Sequence, residues 1–361
     1  MLRSETMALQ DEPYTREFLL ERTGRLSQAG GISQFTHAEG KAKGVSTLRV
    51  RTARGLEYWV VPDRGMDIFE ASFLGRSLCW HSPVGMVHPA YYSNRGTEWL
   101  KSFPGGLLST CGLTTVGIPS EDNGESLGLH GSISNTPAEY VTWSERWQGD
   151  DCLLSVSGKV RETSVHGANM LLERTISTSL QSKSFTLHDV VENQGVRDSP
   201  LMVLYHLNFG FPLLSERSRI YAPSQAVEPA DDLAARSKDA WNQFESPVMG
   251  AMERVYFHKM KPDATGRVTV VLVGDSDLGV AINYDSKTLP EFVQWKMTGS
   301  NHFVLGLEPA NCRTLGRKAE RDRGTLQTLT PGERREFRLE MSVLDGTDEV
   351  ANAVRSQVEL T

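Results

Sequence analysis

No stretch of the sequence reaches the ~18 apolar residues that a membrane-spanning helix needs, and the opening segment MLRSETMALQDEPYTREF has no apolar core of the secretory kind. Cysteine is scarce. Cys79, Cys111, Cys152 and Cys312 lie far apart without a C-x-x-C pair, so neither a zinc knuckle nor a dithiol redox motif is indicated. A chain of 361 residues needs no disulfide staples, and a reduced, cytoplasmic protein is the expectation. Long basic runs are missing as well. Lys plus Arg number 38 against 45 Asp plus Glu, giving a net charge of −7 and a pI near 5.8. That balance offers no phosphate-tracking surface and no polybasic membrane patch, so neither nucleic acid nor a membrane is an expected partner. The P-loop, the G-x-G-x-x-G turn, the G-x-S-x-G elbow and the H-E-x-x-H helix are all absent.

Helical periodicity is also rare, and what remains reads as strands. Residues 46–52 (STLRVRT), 57–61 (EYWVV), 140–147 (YVTWSERW) and 152–161 (CLLSVSGKVR) are rich in β-branched and aromatic side chains. Several alternate apolar with polar at period two, the mark of a sheet with one wet face. The pattern continues through 171–180, 184–193, 267–274, 278–284, 291–297, 302–308 and 336–344, with turn residues between. Without ten-residue helices between strands a parallel sheet is not expected. The fold class predicted is all-β, a large antiparallel β-sandwich with a few short helices. One helix is expected over 14–24, and another from an N-cap at Thr347 to about Ser356. Residues 79–129 and 223–250 resist strand assignment, and long loops of this kind often form binding surfaces. No composition break marks a linker, so a single domain over 1–361 is expected, its core over about 35–345.

Four groups of polar residues stand out in apolar surroundings. Glu308 closes the run HFVLGL before Pro309, which is expected to stop the strand from pairing. A buried carboxylate there needs partners; a strand-end glutamate facing solvent is the plainer alternative. His206 sits in MVLYHLNFGF, where a hydrogen-bonded core histidine is the ordinary use. His130 lies in GLHGS, between glycines that allow a backbone to approach a ligand closely, although a tight turn explains it equally. Arg64 and Asp67, in PDRGMDI, read as a site pair or as a surface ion pair on a hairpin.

Taken in order, these segments resemble the galactose mutarotase-like superfamily, the aldose 1-epimerases and their relatives. Leu129-His130-Gly131 is similar to that family's L-H-G motif. LLERTI (171–176), LHDVVENQG (187–195) and the run to His206 follow the family's succession of two strands, an N-x-G turn and a histidine-bearing strand. Leu305–Pro309 resembles the strand of the catalytic glutamate, and Leu329-Thr330-Pro331-Gly332-Glu333 the L-x-P-G-E turn before the last strand. The likeness runs from about residue 45 to 345. The galactose mutarotases themselves carry an early G-R-x-x-N-R-I segment where this chain has PDRGMDI, and their sugar-binding aspartate has no counterpart around residues 256–259. The chain thus resembles a divergent bacterial branch of the aldose 1-epimerase family.

The resemblance implies a cofactor-free enzyme that interconverts sugar anomers. Such a reaction needs a base for the C1 hydroxyl and an acid for the ring oxygen, roles that a carboxylate and an imidazole fill near neutral pH. It implies Glu308 as base, His206 as acid and His130 as a second imidazole at the substrate. Trp80, Trp99, Tyr205 and Trp295 are candidates to stack on the sugar, with core packing as the alternative use. Arg64, Lys296 and Arg313 suit an acidic or phosphorylated sugar. The expected partner is a monosaccharide or sugar derivative, the expected assembly a monomer or homodimer. Two other readings stand beside this one: a non-catalytic carbohydrate-binding protein, and a metal-dependent sugar isomerase with His130, His206 and Glu308 as ligands.

Overall fold

The alternating segments become strands with one apolar face each, and two such faces are buried against each other. The computed structural model describes residues 14–275 and 277–359. Among these, a 12-stranded and an 8-stranded antiparallel sheet form the body. In the larger sheet the main path runs Gly31–Thr36, Ser46–Arg51, Leu56–Val61, Asp67–Phe73, Leu108–Leu113, Ser199–Phe209, His302–Ala310, Glu291–Gly299, Arg254–Met260, Ser224–Pro229. The smaller runs Glu139–Gln148, Asp151–Thr163, Asn169–Ser179, Ser184–Asn193, Arg334–Asp345, Leu278–Asp285, Arg267–Val273, Arg219–Tyr221. Asp151–Thr163 and Ser184–Asn193 bury every second residue, as a sheet with one wet face must.

The central strands of the larger sheet differ, because both of their faces are covered. Along Ser199–Phe209, Leu201, Val203, Tyr205, Leu207 and Phe209 join the core between the sheets. Met202 and Leu204 instead join a second cluster on the outer face, with Trp99, Phe103, Cys111, Val293 and Ala310. Residues 99–103 and 129–131 lie over that outer face, which makes it a lined floor and not a solvated surface.

Three local expectations need correction. Within 79–129 lies Leu108–Leu113, a fully buried strand between Asp67–Phe73 and Ser199–Phe209. Pro309 does not end its strand: it sits opposite Phe292, Ala310 continues the pairing, and the Asn311 N–H donates to the Val203 carbonyl at 3.0 Å. Thr347 is the first helical residue of Thr347–Val358, and the cap position falls to Gly346 at φ +96°, a conformation that glycine adopts without strain. The N-terminal helix spans Arg16–Arg22, with the Thr15 hydroxyl accepting from the Phe18 N–H.

Candidate active site

Two neighbouring strands bring Glu308 and His206 together. The register that pairs Leu204 with Ala310 and Leu207 with Leu307 puts Glu308 directly opposite His206. Both side chains then point to the outer face, since Leu207 and Leu307 on either side belong to the core. His206 Nε2 lies 3.1 Å from Glu308 Oε1. The two are 5% and 1% exposed, so the imidazole and the carboxyl of this pair are held out of water. The contact is not aligned as a hydrogen bond, and Glu308 Oε1 and His206 Nδ1 have no hydrogen-bond partner. Buried polar atoms left open in this way are costly, and at a site they are the natural contacts of a ligand's hydroxyls.

His130 completes the group from a turn over the Leu108–Leu113 strand. Its backbone is pinned at both ends: its N–H donates to Gly117 O at 2.9 Å, and its carbonyl accepts from the Gly112 N–H at 3.0 Å. It holds φ +60°, an uncommon conformation for a residue with a side chain, which such pinning maintains. The next residue must be glycine, because a Cβ at Gly131 would overlap the Gly112 carbonyl. The His130 ring lies 5.9 Å from that of His206 and 4.8 Å from Trp99, and its Nδ1 also lacks a partner.

Aromatic rings wall the pair. Trp295 and Phe103 stand 5.4 and 5.5 Å from the His206 ring, and Trp80 lies 6.0 Å from each of them. Trp99 stacks on Phe103 at 4.4 Å. The Trp295 indole N–H donates to Glu253 Oε2 at 2.7 Å. Phe103 and Glu253 escape sequence reasoning. The first sits in a segment with no strand pattern, and an exposed loop glutamate carries no signal at all.

Burial sets the protonation of the pair. It pushes the Glu308 carboxyl well above the usual carboxylate range, and the charge of Glu253 adds to that. It drives the His206 imidazole down to about 4, partly offset by Asn208. His130 is lowered to about 3, by burial first and by His206 second. Between these limits the Glu308–His206 pair holds one labile proton. That is the same proton count as a carboxylate facing an imidazolium, so one internal transfer yields a base and an acid side by side.

The remaining sequence candidates lie elsewhere or are already paired. Arg64 is buried and donates Nη1 to Val87 O at 2.7 Å and Nη2 to Ser102 O at 2.9 Å. It therefore ties down the loop carrying Trp99 and Phe103, and is not free to clamp an anion. Asp67 accepts from the Thr110 N–H, the Thr110 hydroxyl and Arg174 Nη1 at 2.9, 2.6 and 2.8 Å. Tyr205 faces the core and donates to Asp189 Oδ2 at 2.8 Å, so it cannot stack on a substrate beside His206. Lys296 points to the face opposite Trp295, where it donates to the carbonyls of Gln243 and Ala240 and meets Glu245. Arg313 does reach the outer face, over the Phe257 ring at 4.6 Å, but Glu228 and Glu291 neutralise it.

The family model described as a domain of unknown function, DUF4432, matches residues 42–343. The chain belongs to this family. No curated protein matches it. Among solved structures, this DUF4432 protein is similar to a candidate aldose 1-epimerase from Klebsiella pneumoniae subsp. pneumoniae, with TM-score 0.87 and 28% identity over 91% of this chain and 87% of that one. It shares its fold with a galactose mutarotase-like protein from Clostridium acetobutylicum, at TM-score 0.60 and 15% identity over 88% and 99% of the chains. The same holds for a galactose 1-epimerase from Lactobacillus acidophilus NCFM, at TM-score 0.57 and 13% identity over 88% and 99%. The DUF4432 chain thus has the fold of the galactose mutarotase-like proteins.

Proposed function

We propose that this DUF4432 protein is an aldose 1-epimerase-like enzyme that interconverts the anomers of a sugar by acid–base ring opening. The observation that carries the reading is the buried Glu308–His206 pair with unfilled polar atoms inside an aromatic enclosure. A sugar hydroxyl entering beside Oε1 stabilises the carboxylate and draws the shared proton to His206. Glu308 then takes the proton of the C1 hydroxyl as His206 delivers its own to the ring oxygen. The C1–O5 bond breaks, C1 becomes a carbonyl, and rotation about C1–C2 presents its other face. The reverse transfers close the ring. Trp80 and Trp295 supply apolar surfaces for the sugar's C–H face.

The pairing of Arg64, Lys296 and Arg313 with protein groups favours a neutral sugar over an acidic or phosphorylated one. Donor geometry weighs against the metal-dependent isomerase. Among the described residues, the group that gathers three donor atoms within 4.8 Å is not His130, His206 and Glu308. A cytoplasmic setting suits four buried, unpaired cysteines, and no helix among the described residues is long and apolar enough to cross a membrane.

Polarimetry on freshly dissolved neutral and acidic aldoses tests the proposal. The purified protein should speed the approach to anomeric equilibrium for at least one neutral sugar. Tight sugar binding without acceleration across the panel would instead establish the non-catalytic carbohydrate-binding reading.

A further inference from the structure

Outside the proposed site, Glu70, Cys79 and His81 bring a carboxylate oxygen, a sulfur and an imidazole nitrogen within 4.8 Å of one another. Cys79 and His81 are two residues apart in an extended segment, so their side chains leave it on the same side. Trp80, between them, leaves on the other and joins the aromatic wall at Trp295 and Phe103. Glu70 reaches across from the Asp67–Phe73 strand. The His81 imidazole is held by stacking on Phe69, with centroids 4.8 Å apart and planes 5° from parallel.

Cys79 Sγ lies 3.5 Å from His81 Nε2, and His81 Nε2 lies 3.4 Å from Glu70 Oε2. A tetrahedral zinc ion with Zn–S of about 2.3 Å and Zn–N and Zn–O of about 2.0–2.2 Å sets S–N and N–O edges of about 3.5 and 3.4 Å. Two of the three donor–donor edges already stand at those lengths, and the third, between the Cys79 sulfur and the Glu70 carboxylate, lies within 4.8 Å, so a small rotation of the Glu70 side chain completes the triangle. The other contacts of the Cys79 sulfur, 3.7 and 3.8 Å from the Phe69 and Ala71 carbonyls and 3.9 Å from the Ser77 hydroxyl, are long. His81 and Glu70 are 39% and 24% exposed, which leaves a path for the ion and room for water as a fourth ligand.

We infer that Glu70, Cys79 and His81 form a binding site for a divalent transition-metal ion, zinc by preference, behind the Trp80 wall of the proposed sugar site. One sulfur, one nitrogen and one oxygen donor are the mixture that zinc accepts and that calcium or magnesium does not. Binding forms the Zn–S bond as the Cys79 thiol proton passes to solvent, so thiolate and carboxylate together neutralise the ion. The ion fixes the residues on either side of Trp80, and thereby the position of that ring. This inference does not depend on the epimerase reading.

Zinc titration of the full chain, purified metal-free under reducing conditions, gives the test, with Co(II) as spectroscopic probe. The wild type should bind one zinc per chain, and its Co(II) form should show thiolate-to-cobalt charge transfer and the intense visible bands of a tetrahedral ion. Cys79→Ser and Glu70→Gln should each bind at least ~100-fold more weakly. Glu70→Gln, altered at a partly exposed position, carries the test alone if circular dichroism finds Cys79→Ser unfolded. His206→Ala should bind as the wild type does. No stoichiometric binding by the wild type, affinity unchanged in Glu70→Gln, or affinity lost in folded His206→Ala would each overturn the assignment.

Discussion

Glu308 and His206 show how position alone prepares two ordinary side chains. Each is buried, each lacks a partner for an atom that wants one, and they differ in the sign of their response to burial. The carboxyl is harder to ionise and the imidazole harder to protonate. His206 therefore stays neutral until the pH falls to about 4, and Glu308 keeps its proton until the pH passes a value well above the usual carboxylate range. The one-proton form that the proposed reaction needs persists between these two limits, and its titration belongs to the pair. The expected pH profile of kcat/KM is flat through neutrality, with an acid limb near 4 and an alkaline limb above the ordinary carboxylate range. An acid limb at the ordinary histidine value of about 6.5 would contradict this assignment of protons.

Strands determine how closely the pair can approach, and one glycine sets the limit. Gly306 lies two residues before Glu308, on the same face, and a Cβ there would overlap Glu308 Oε1 and come within 3.0 Å of the Trp295 Cβ. Gly306→Ala should leave the strand intact, because the carboxylate end can swing aside, but displacement of the proposed base should lower turnover on the order of 10²-fold. Unchanged turnover in that variant would mean that the carboxylate position is not limiting. The elements that carry the chemistry were unequally legible in the sequence. The strands of the smaller sheet declare themselves by alternation, because one of their faces is wet. Ser199–Phe209 and His302–Ala310, buried on both faces, read as apolar runs in which one polar residue stands out, and that contrast singled out His206 and Glu308. Leu108–Leu113 (LSTCGL) was hidden, since its small residues carry little strand preference and are buried only by neighbours distant in sequence. Arg64 and Asp67 showed that they are unusual but not why. Whether a charged residue meets a ligand or a carbonyl 38 residues away depends on packing that no local pattern encodes.

At the scale of the whole molecule, a buried ionic network joins the two sheets behind the site. Arg174, on the smaller sheet, donates to Asp189 at 2.9 and 2.7 Å and reaches across to Asp67 on the larger one at 2.8 Å. Tyr205, next in the chain to His206, hydrogen-bonds to Asp189. The network thus sits beneath the strand that presents the proposed acid. Arg174 and Asp189 side chains have no exposure, so removing the Arg174 charge leaves the Asp189 carboxylate uncompensated in the core. Arg174→Met should destabilise the fold by about 3–5 kcal/mol, read as a shift of the urea midpoint at unchanged slope. A loss below about 1 kcal/mol would place this pair with exposed ones in its energetic weight.

Saturation-transfer NMR between the anomeric protons of a turned-over sugar tests the central claim most directly, because it observes the exchange itself at equilibrium. The wild type should transfer saturation from one anomer to the other. Glu308→Gln and His206→Ala, folded and still binding the sugar, should each slow the exchange by on the order of 10²–10⁴. Exchange at the wild-type rate in either folded variant would contradict the assignment of base and acid.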